Sequence, residues 1–251
     1  PLDDDATALE PVAPPTQRGI FGFGSNGSTS INKTNLVSSS GVVATDTTGV
    51  GTARSALAAT NYGGDKAIFA YGTSSNLSNL VSNSGVVASD TSGVGTARGY
   101  LGAASYGGDK VIFGYGYASN YSSLTNLVNN VGTVAADVTG VGTVRAGVAA
   151  ATYGSDKAIF AYGNDNNNLS MSNLVNNVGV VASDVSGVGT ARYRLSATSY
   201  GGDKALFGFG YTSSVVSMTN LVNNSGVIAA DVTGVGSAQW LAGAATFSYS
   251  A

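Results

Sequence analysis

One unit is written five times along this chain, and that repeat restricts the fold more than any other feature. Asn-Leu-Val begins at Asn35, Asn79, Asn126, Asn173 and Asn220, at spacings of 44, 47, 47 and 47 residues. Asp46, Asp90, Asp137, Asp184 and Asp231 keep the same spacings, as does Gly-Val-Gly starting at Gly49, Gly93, Gly140, Gly187 and Gly234. A period of this length means that each copy is one supersecondary unit, which buries its apolar residues against its neighbours.

Each copy reads as β structure. In the copy around Arg192, "YRLSATSY" alternates small or apolar residues with polar ones, "GGD" is turn chemistry, and "KALFGFG" is a short apolar strand ending at Gly. A loop, "TNLVNN", a turn at Ser225-Gly226 and "VIAAD" follow. Four short strands separated by Gly, Asn and Asp turns, with no helical period, match one blade of a β-propeller. In repeat register Phe247 falls where Tyr200 falls, while Gln17 and Arg18 fall where Asp203 and Lys204 fall. The chain therefore begins just after the turn at which it ends. The prediction is an all-β, five-bladed β-propeller over residues 18–251, with four-stranded blades. The C-terminal inner strand joins the N-terminal blade and closes the ring, which removes a free sheet edge. The innermost strands "SALAATNY", "GYLGAASY", "AGVAAATY", "YRLSATSY" and "WLAGAATF" are rich in Ala, Gly and Ser, as crowding around an axis requires. Residues 1–17, "PLDDDATALEPVAPPTQ", form an acidic, Pro-rich arm outside the repeat. Such a segment cannot bury enough apolar surface to fold alone, and it reads as docking on a neighbouring subunit. The start at Pro1 fits removal of an initiator Met or of a longer leader.

Composition removes several chemistries. The chain has no His and no Cys, so it lacks the usual general base, disulfides and zinc-thiolate sites. The net charge is -3, against the clustered Lys/Arg of a nucleic-acid footprint. No apolar run reaches the ~18 residues of a membrane span. Only 10% of residues are charged, and hydroxyls and amides carry the polar surface. This pattern fits an extracellular or virion protein. No cofactor or metal site is expected; Asp165 within "NDNNN" is a lone carboxylate, a poor basis for calcium.

The order of small-residue strand, turn, "KAIFAYG", loop, "SNLV", turn, "VVASD" and Ala-Arg resembles a kelch-type blade. Gly-Tyr-Gly or Gly-Phe-Gly stands for the family's paired glycines, and Arg54, Arg98, Arg145 and Arg192 stand for its Arg before the inner strand. The resemblance spans residues 18–251 and implies the propeller fold. It departs from the family in lacking aromatic residues on the third and fourth strands and in carrying Gln239 for the fifth Arg. Units such as "GVVATDTTGVGTAR" also resemble repeats of phage tail and fibre proteins.

Eighteen of the 25 charged residues are fixed by the repeat. The Asp46, Asp90, Asp137, Asp184, Asp231 and Arg54, Arg98, Arg145, Arg192 set reads as a structural network within or between blades. The Asp-Lys pairs at 65–66, 109–110, 156–157 and 203–204 read as turns with solvated charges. A glycosidase needs an asymmetric carboxylate pair. Here each carboxylate of the core has equivalents in the same setting, so no catalytic residue is assigned and glycoside hydrolysis is the weakest reading. Function belongs in what varies. The loop after the second strand offers Asn26, Asn76, Tyr117, Tyr121, Asn164, Asp165 and Tyr211, and the positions after the repeat Arg offer Tyr100, Tyr193 and Trp240. Trp240, the only Trp, reads either as an anchor at the channel mouth or as packing for the closing blade. Arg194, which shares that variable position with Tyr193, is one of seven charges outside the repeat. The expected function is a non-enzymatic structural or adhesive subunit of an extracellular filament or virion appendage, self-associating through the arm. A multivalent lectin-like module, with a glycan site on each blade, is the alternative.

Overall fold

The computed structural model describes residues 19–246, so the arm at 1–17 and Arg18, Phe247 and the residues after it lie outside the description. The fold is all-β. Unit 1 pairs β1 (Gly19–Gly22) with β2 (Thr34–Val37). Unit 2 has β3 (Ala58–Tyr62), β4 (Lys66–Ala70) and β5 (Ser78–Val81). Unit 3 has β6 (Gly102–Tyr106), β7 (Lys110–Gly114) and β8 (Thr125–Val128). Unit 4 has β9 (Ala149–Tyr153), β10 (Lys157–Asn164) and β11 (Asn168–Val175), and unit 5 has β12 (Ser196–Tyr200), β13 (Lys204–Gly208) and β14 (Thr219–Val222). Each sheet is an antiparallel meander in chain order, three-stranded in units 2–5 and two-stranded in unit 1.

The expected fourth strand is reduced to a thin edge. In unit 3 it touches β8 through isolated bridges at Val128–Val134 and Thr125–Val138. Ala135 N–H donates to Leu127 O at 2.8 Å, but the residues between the bridges do not make a continuous ladder. The same pair of bridges recurs in every unit. Four-stranded blades are therefore corrected to three strands plus a loosely tied edge. That segment is exposed on its outer side and has little to pack against.

The middle strands of units 2–4 are apolar on both faces, since each is covered by a neighbouring unit on either side. In β7, Val111, Ile112 and Phe113 are all fully buried. Four apolar clusters lie between successive units. Phe23, Phe69 and Val81 join units 1 and 2; Ile68, Ala70, Tyr71, Val111, Phe113 and Val128 join units 2 and 3. Corresponding clusters join units 3 and 4 and units 4 and 5. The inner strands approach closely: a Cβ added at Gly102 would meet Phe160, Val148 and Ala150 at 3.1–3.2 Å. Small residues there are a condition of stacking.

Hydrogen bonds stitch the units along the array. The turn amides of Gly63, Gly107 and Gly154 donate to the carbonyls of Asp109, Asp156 and Asp203 in the next unit at 2.7–2.8 Å. The carboxylates of these turns are tied rather than free. Asn83, Asn130, Asn177 and Asn224 donate to Asp65, Asp109, Asp156 and Asp203 at 3.0–3.1 Å. These bonds lie at the surface, and the Asp and Lys side chains of the turns stay 34–54% exposed.

Beyond unit 5, residues 237–246 begin a sixth copy of the unit. Leu241 N–H donates to Arg194 O at 3.0 Å, Ser196 Oγ donates to Ala242 O, and Thr246 Oγ1 donates to Ser199 O at 2.8 Å. Among the described residues no hydrogen bond, strand pairing or buried cluster joins unit 1 to unit 5 or to 237–246. The unit-to-unit contacts run in one direction, from unit 1 to 237–246. Among these residues no helix is long and apolar enough to cross a membrane.

Candidate functional site

The Asp/Arg set forms a repeated structural network. In unit 3, Arg98 is fully buried. Its Nε donates to Tyr115 O at 2.8 Å, Nη1 to Thr96 O at 3.0 Å, and Nη2 to Asn126 Oδ1 at 2.7 Å. Asn126 Nδ2 donates to Asp137 Oδ1 at 2.9 Å. Asp137 Oδ2 accepts from the Thr96 N–H at 2.9 Å and from its hydroxyl at 2.7 Å. The guanidinium also lies 4.6 Å from the Tyr71 ring of the preceding unit, so one side chain ties two units. Arg54, Arg145 and Arg192 repeat this with Asn79, Asn173 and Asn220. Burial lowers the pKa of Arg54, Arg98 and Arg145; Asp90 opposes the shift at Arg54, Tyr71 and then Asp137 oppose it at Arg98, and Tyr115 and then Asp184 at Arg145.

Burial also pushes Asp90, Asp137, Asp184 and Asp231 upwards. Hydrogen bonds from Thr and Asn, with the Arg charge, outweigh it and hold all four below the ordinary carboxylate value. The aromatic residue before the Gly that ends each middle-strand motif (Gly-Tyr-Gly, Ala-Tyr-Gly or Gly-Phe-Gly) has a left-handed backbone, with φ of 61–65° at Phe23, Tyr71, Tyr115, Tyr162 and Phe209. That conformation is strained for a side chain of this size. In units 2–5 the Arg Nε bond to its carbonyl holds it in place. No buried side-chain polar atom lacks a partner among the described residues. These carboxylates are spent on the fold, and no group of three metal-ligating acidic side chains occurs among the described residues. The Asn and Thr members escape a sequence reading focused on charge, although a recurrent Asn within each apolar "NLV" strand is their signal.

Variable residues gather elsewhere. The positions two after the repeat Arg form a column: Ala56, Tyr100, Gly147, Arg194 and Leu241, all with φ of 53–63°. Each N–H from Tyr100 onward donates to the carbonyl of the previous member at 2.8–3.0 Å. Beside this column stand Tyr117 and Tyr211, bridged to Gly99 and Tyr193, and Asn164, bridged to Ala146. Loop residues and post-Arg residues, which are far apart in sequence, thus share one surface. Tyr117 packs edge-on against Tyr121 at 5.1 Å, Tyr193 against Tyr211 at 5.7 Å, and Tyr211 lies 5.0 Å from Trp240. Tyr121 Oη donates to Asn164 Oδ1 at 3.0 Å. The Arg194 guanidinium lies 5.0–5.4 Å from the rings of Tyr100, Tyr193 and Trp240.

Seven of the candidate binding residues (Tyr100, Tyr117, Tyr121, Asn164, Tyr193, Tyr211 and Trp240) belong to this aromatic surface. Asn26, Asn76 and Asp165 do not. The Asn26 side chain accepts from Ser28 and Thr29 within its own loop, Asn76 donates to Gly95 O at 2.6 Å, and Asp165 accepts from Asn167 N–H at 3.1 Å. Gly147 is a member of the surface that the sequence reading did not assign to it. Arg194, next to Tyr193 in the variable position after the repeat Arg, brings the surface its one positive charge.

A third feature lies at the ends of the array. Phe21 is 62% exposed, whereas its equivalents Phe69, Phe113, Phe160 and Phe207 are at most 4% exposed. Val43 on the same unit is also exposed, and on unit 5 so is Leu221. Asp46 takes its cation from Lys33 at 2.8 Å, and bonds from Lys33 and Asn35 lower its pKa. The partner that register assigns to it, Ser237, does not reach it. Compared with models of known protein families and with curated proteins, the chain matches none.

Proposed function

We propose that this protein is a non-enzymatic structural subunit of an extracellular filament or virion appendage, built by joining the end of one copy to the start of the next. The observation that carries this reading is the pair of exposed end faces. Four unit-to-unit interfaces are complete within the chain, and unit 1 and unit 5 each present the opposite half of a fifth. The faces are complementary by repeat equivalence, and a contact between different surfaces of identical subunits propagates unless its rotation closes.

The junction carries its own compensation. Gln239 stands where the other units have Arg, and Lys33 supplies Asp46 with the charge that the missing Arg would have given. By the register of β12 on β13, Gly243, Ala244, Ala245 and Thr246 would lie opposite Gly22, Phe21, Ile20 and Gly19. This added strand would complete the two-stranded sheet of unit 1, a form of β-augmentation.

The same register supports a second arrangement. A chain whose 243–247 segment joins its own β1 is the closed five-bladed propeller expected from sequence. The exposure of Phe21 within the chain favours joining between copies. The proposed arm contact involves residues 1–17, outside the described residues, and would add to this junction. Low charge, with hydroxyls and amides carrying the polar surface, supports an extracellular or virion setting. Engagement of Asp90, Asp137, Asp184 and Asp231 by Thr and Asn, and of Asp46 by Lys33 and Asn35, supports a role without catalysis.

Sedimentation velocity with negative-stain microscopy tests the assembly. Wild-type protein should form concentration-dependent head-to-tail oligomers or filaments, and Phe21→Lys should sediment as a folded monomer. A wild-type protein that stays a single 24.8 kDa species at all concentrations would overturn the reading.

A further inference from the structure

The aromatic surface contains one built cavity. Around Gly147, whose neighbours in the column are Tyr100 and Arg194, lies a space of about 200 Å³. Gly147 and Ala146 form its floor, Tyr100 and Tyr193 its walls, Tyr117, Tyr121 and Asn164 its rim, and Arg194 closes one end. Unlike the structural network, the site occurs once: the column residues at the equivalent positions in the other units are Ala56 and Leu241 at its ends, and no second Gly is flanked by Tyr and Arg.

Its chemistry is unspent. The other four arginines in the described residues give their guanidinium protons to carbonyls and Asn side chains. Arg194 donates no side-chain hydrogen bond and makes no ion pair among these residues; it is held over three rings instead. The phenol oxygens of Tyr100, Tyr117 and Tyr193 likewise have no protein partner there. A planar five-donor fork, oriented by stacking, suits a carboxylate that it can grip at two points. Tyrosine faces suit the C–H face of a saturated ring, and their hydroxyls suit ring hydroxyls. The space is smaller than the roughly 300–1,000 Å³ of sites for drug-sized ligands, so it takes one sugar ring.

We infer that this cavity binds a uronic-acid residue of an acidic saccharide, with the carboxylate on Arg194 and the ring against Tyr100 and Tyr193. The site is single and asymmetric, in contrast to one glycan site per blade. It does not depend on the end-to-end assembly, so it is tested on Phe21→Lys protein.

Trp240, the only Trp, lies 5.0 Å from the Arg194 guanidinium and reports binding by its fluorescence. Titration with D-glucuronate should give a saturable change, with D-glucose, acetate and inorganic phosphate each binding at least about tenfold more weakly. Arg194→Gln should weaken glucuronate by at least about tenfold, the usual loss for a hydrogen bond to a charged group. Gly147→Asn should abolish binding, because Asn tolerates the left-handed backbone while filling the floor. Far-UV circular dichroism checks the fold of both variants. Arg194→Gln, which removes no protein hydrogen bond, keeps the test decisive if Gly147→Asn does not fold. No saturable response to glucuronate, an equal response to glucose, acetate or phosphate, or unchanged binding by Arg194→Gln would each overturn the inference.

Discussion

Arg145 shows what one residue does in this protein. It is fully buried, bonded to Tyr162 O, Thr143 O and Asn173 Oδ1 at 2.7–2.9 Å, and 3.9 Å from the ring of Tyr115 in unit 3. Removing the guanidinium strands those acceptors and leaves Asp184 without its nearest cation. Arg145→Met should therefore cost about 3–5 kcal/mol by denaturant unfolding. Arg145→Lys should recover little of it, since an ammonium cannot span the three acceptors. The same network sets the pH limits. Asp90, Asp137, Asp184 and Asp231 are held below their ordinary value. Their contribution to stability is complete above about pH 4 and is lost as pH falls through the depressed folded values. Burial raises Tyr71, Tyr115 and Tyr162 to about 12, because the neutral phenol is favoured inside. Their contribution is complete below about pH 10 and is lost as pH rises from there towards about 12. Thermal unfolding across pH should show a plateau bounded by these two declines; a midpoint that stays constant from pH 2 to 12 would contradict the assignment.

At the scale of the element, the inner strand decides whether units can stack. Gly102, Ala149, Ser196 and Gly243 occupy one repeat position. A Cβ at Gly102 meets Phe160, Val148 and Ala150, whereas one at Gly243 meets nothing. Gly102→Leu should therefore destabilise the protein by about 1–3 kcal/mol through overpacking. Gly243→Leu should leave the chemical stability of the monomer unchanged while weakening association of copies, as read by sedimentation. These strands were legible in the sequence because their small residues, flanking turn glycines and spacing agree. The edge strand was less so: "VVASD" has strand-like residues, but pairing depends on what covers it, and nothing packs on its outer side. The aromatic surface was legible only in parts. Tyr117 and Tyr193 are separated by a full unit and part of a second, and their proximity arises from stacking that sets equivalent positions side by side. The place of Arg194 beside Tyr193 was legible, but its contact with Tyr100 and Trp240 was not, because those rings come from other units.

Across the whole molecule, stability is close to a sum of units and nearest-neighbour interfaces, and an array of this kind has two ends to resolve. The register of the ends was legible in the sequence, since the last segment starts the unit that the first sheet lacks. Which ends meet was not, because repeat equivalence is satisfied equally by joining within a chain and between chains. The proposed joining between copies rests on Phe21, which stays exposed within the chain. The chain has no Cys, so an engineered pair reports this junction without interference. In the proposed register Gly19 and Thr246 lie directly opposite, close enough for a cross-strand disulfide after local adjustment. Under mild oxidation, Gly19→Cys/Thr246→Cys should give a ladder of disulfide-linked multimers on a non-reducing gel, collapsing to one band on reduction. A cross-linked monomer, or no disulfide at all, would contradict the account.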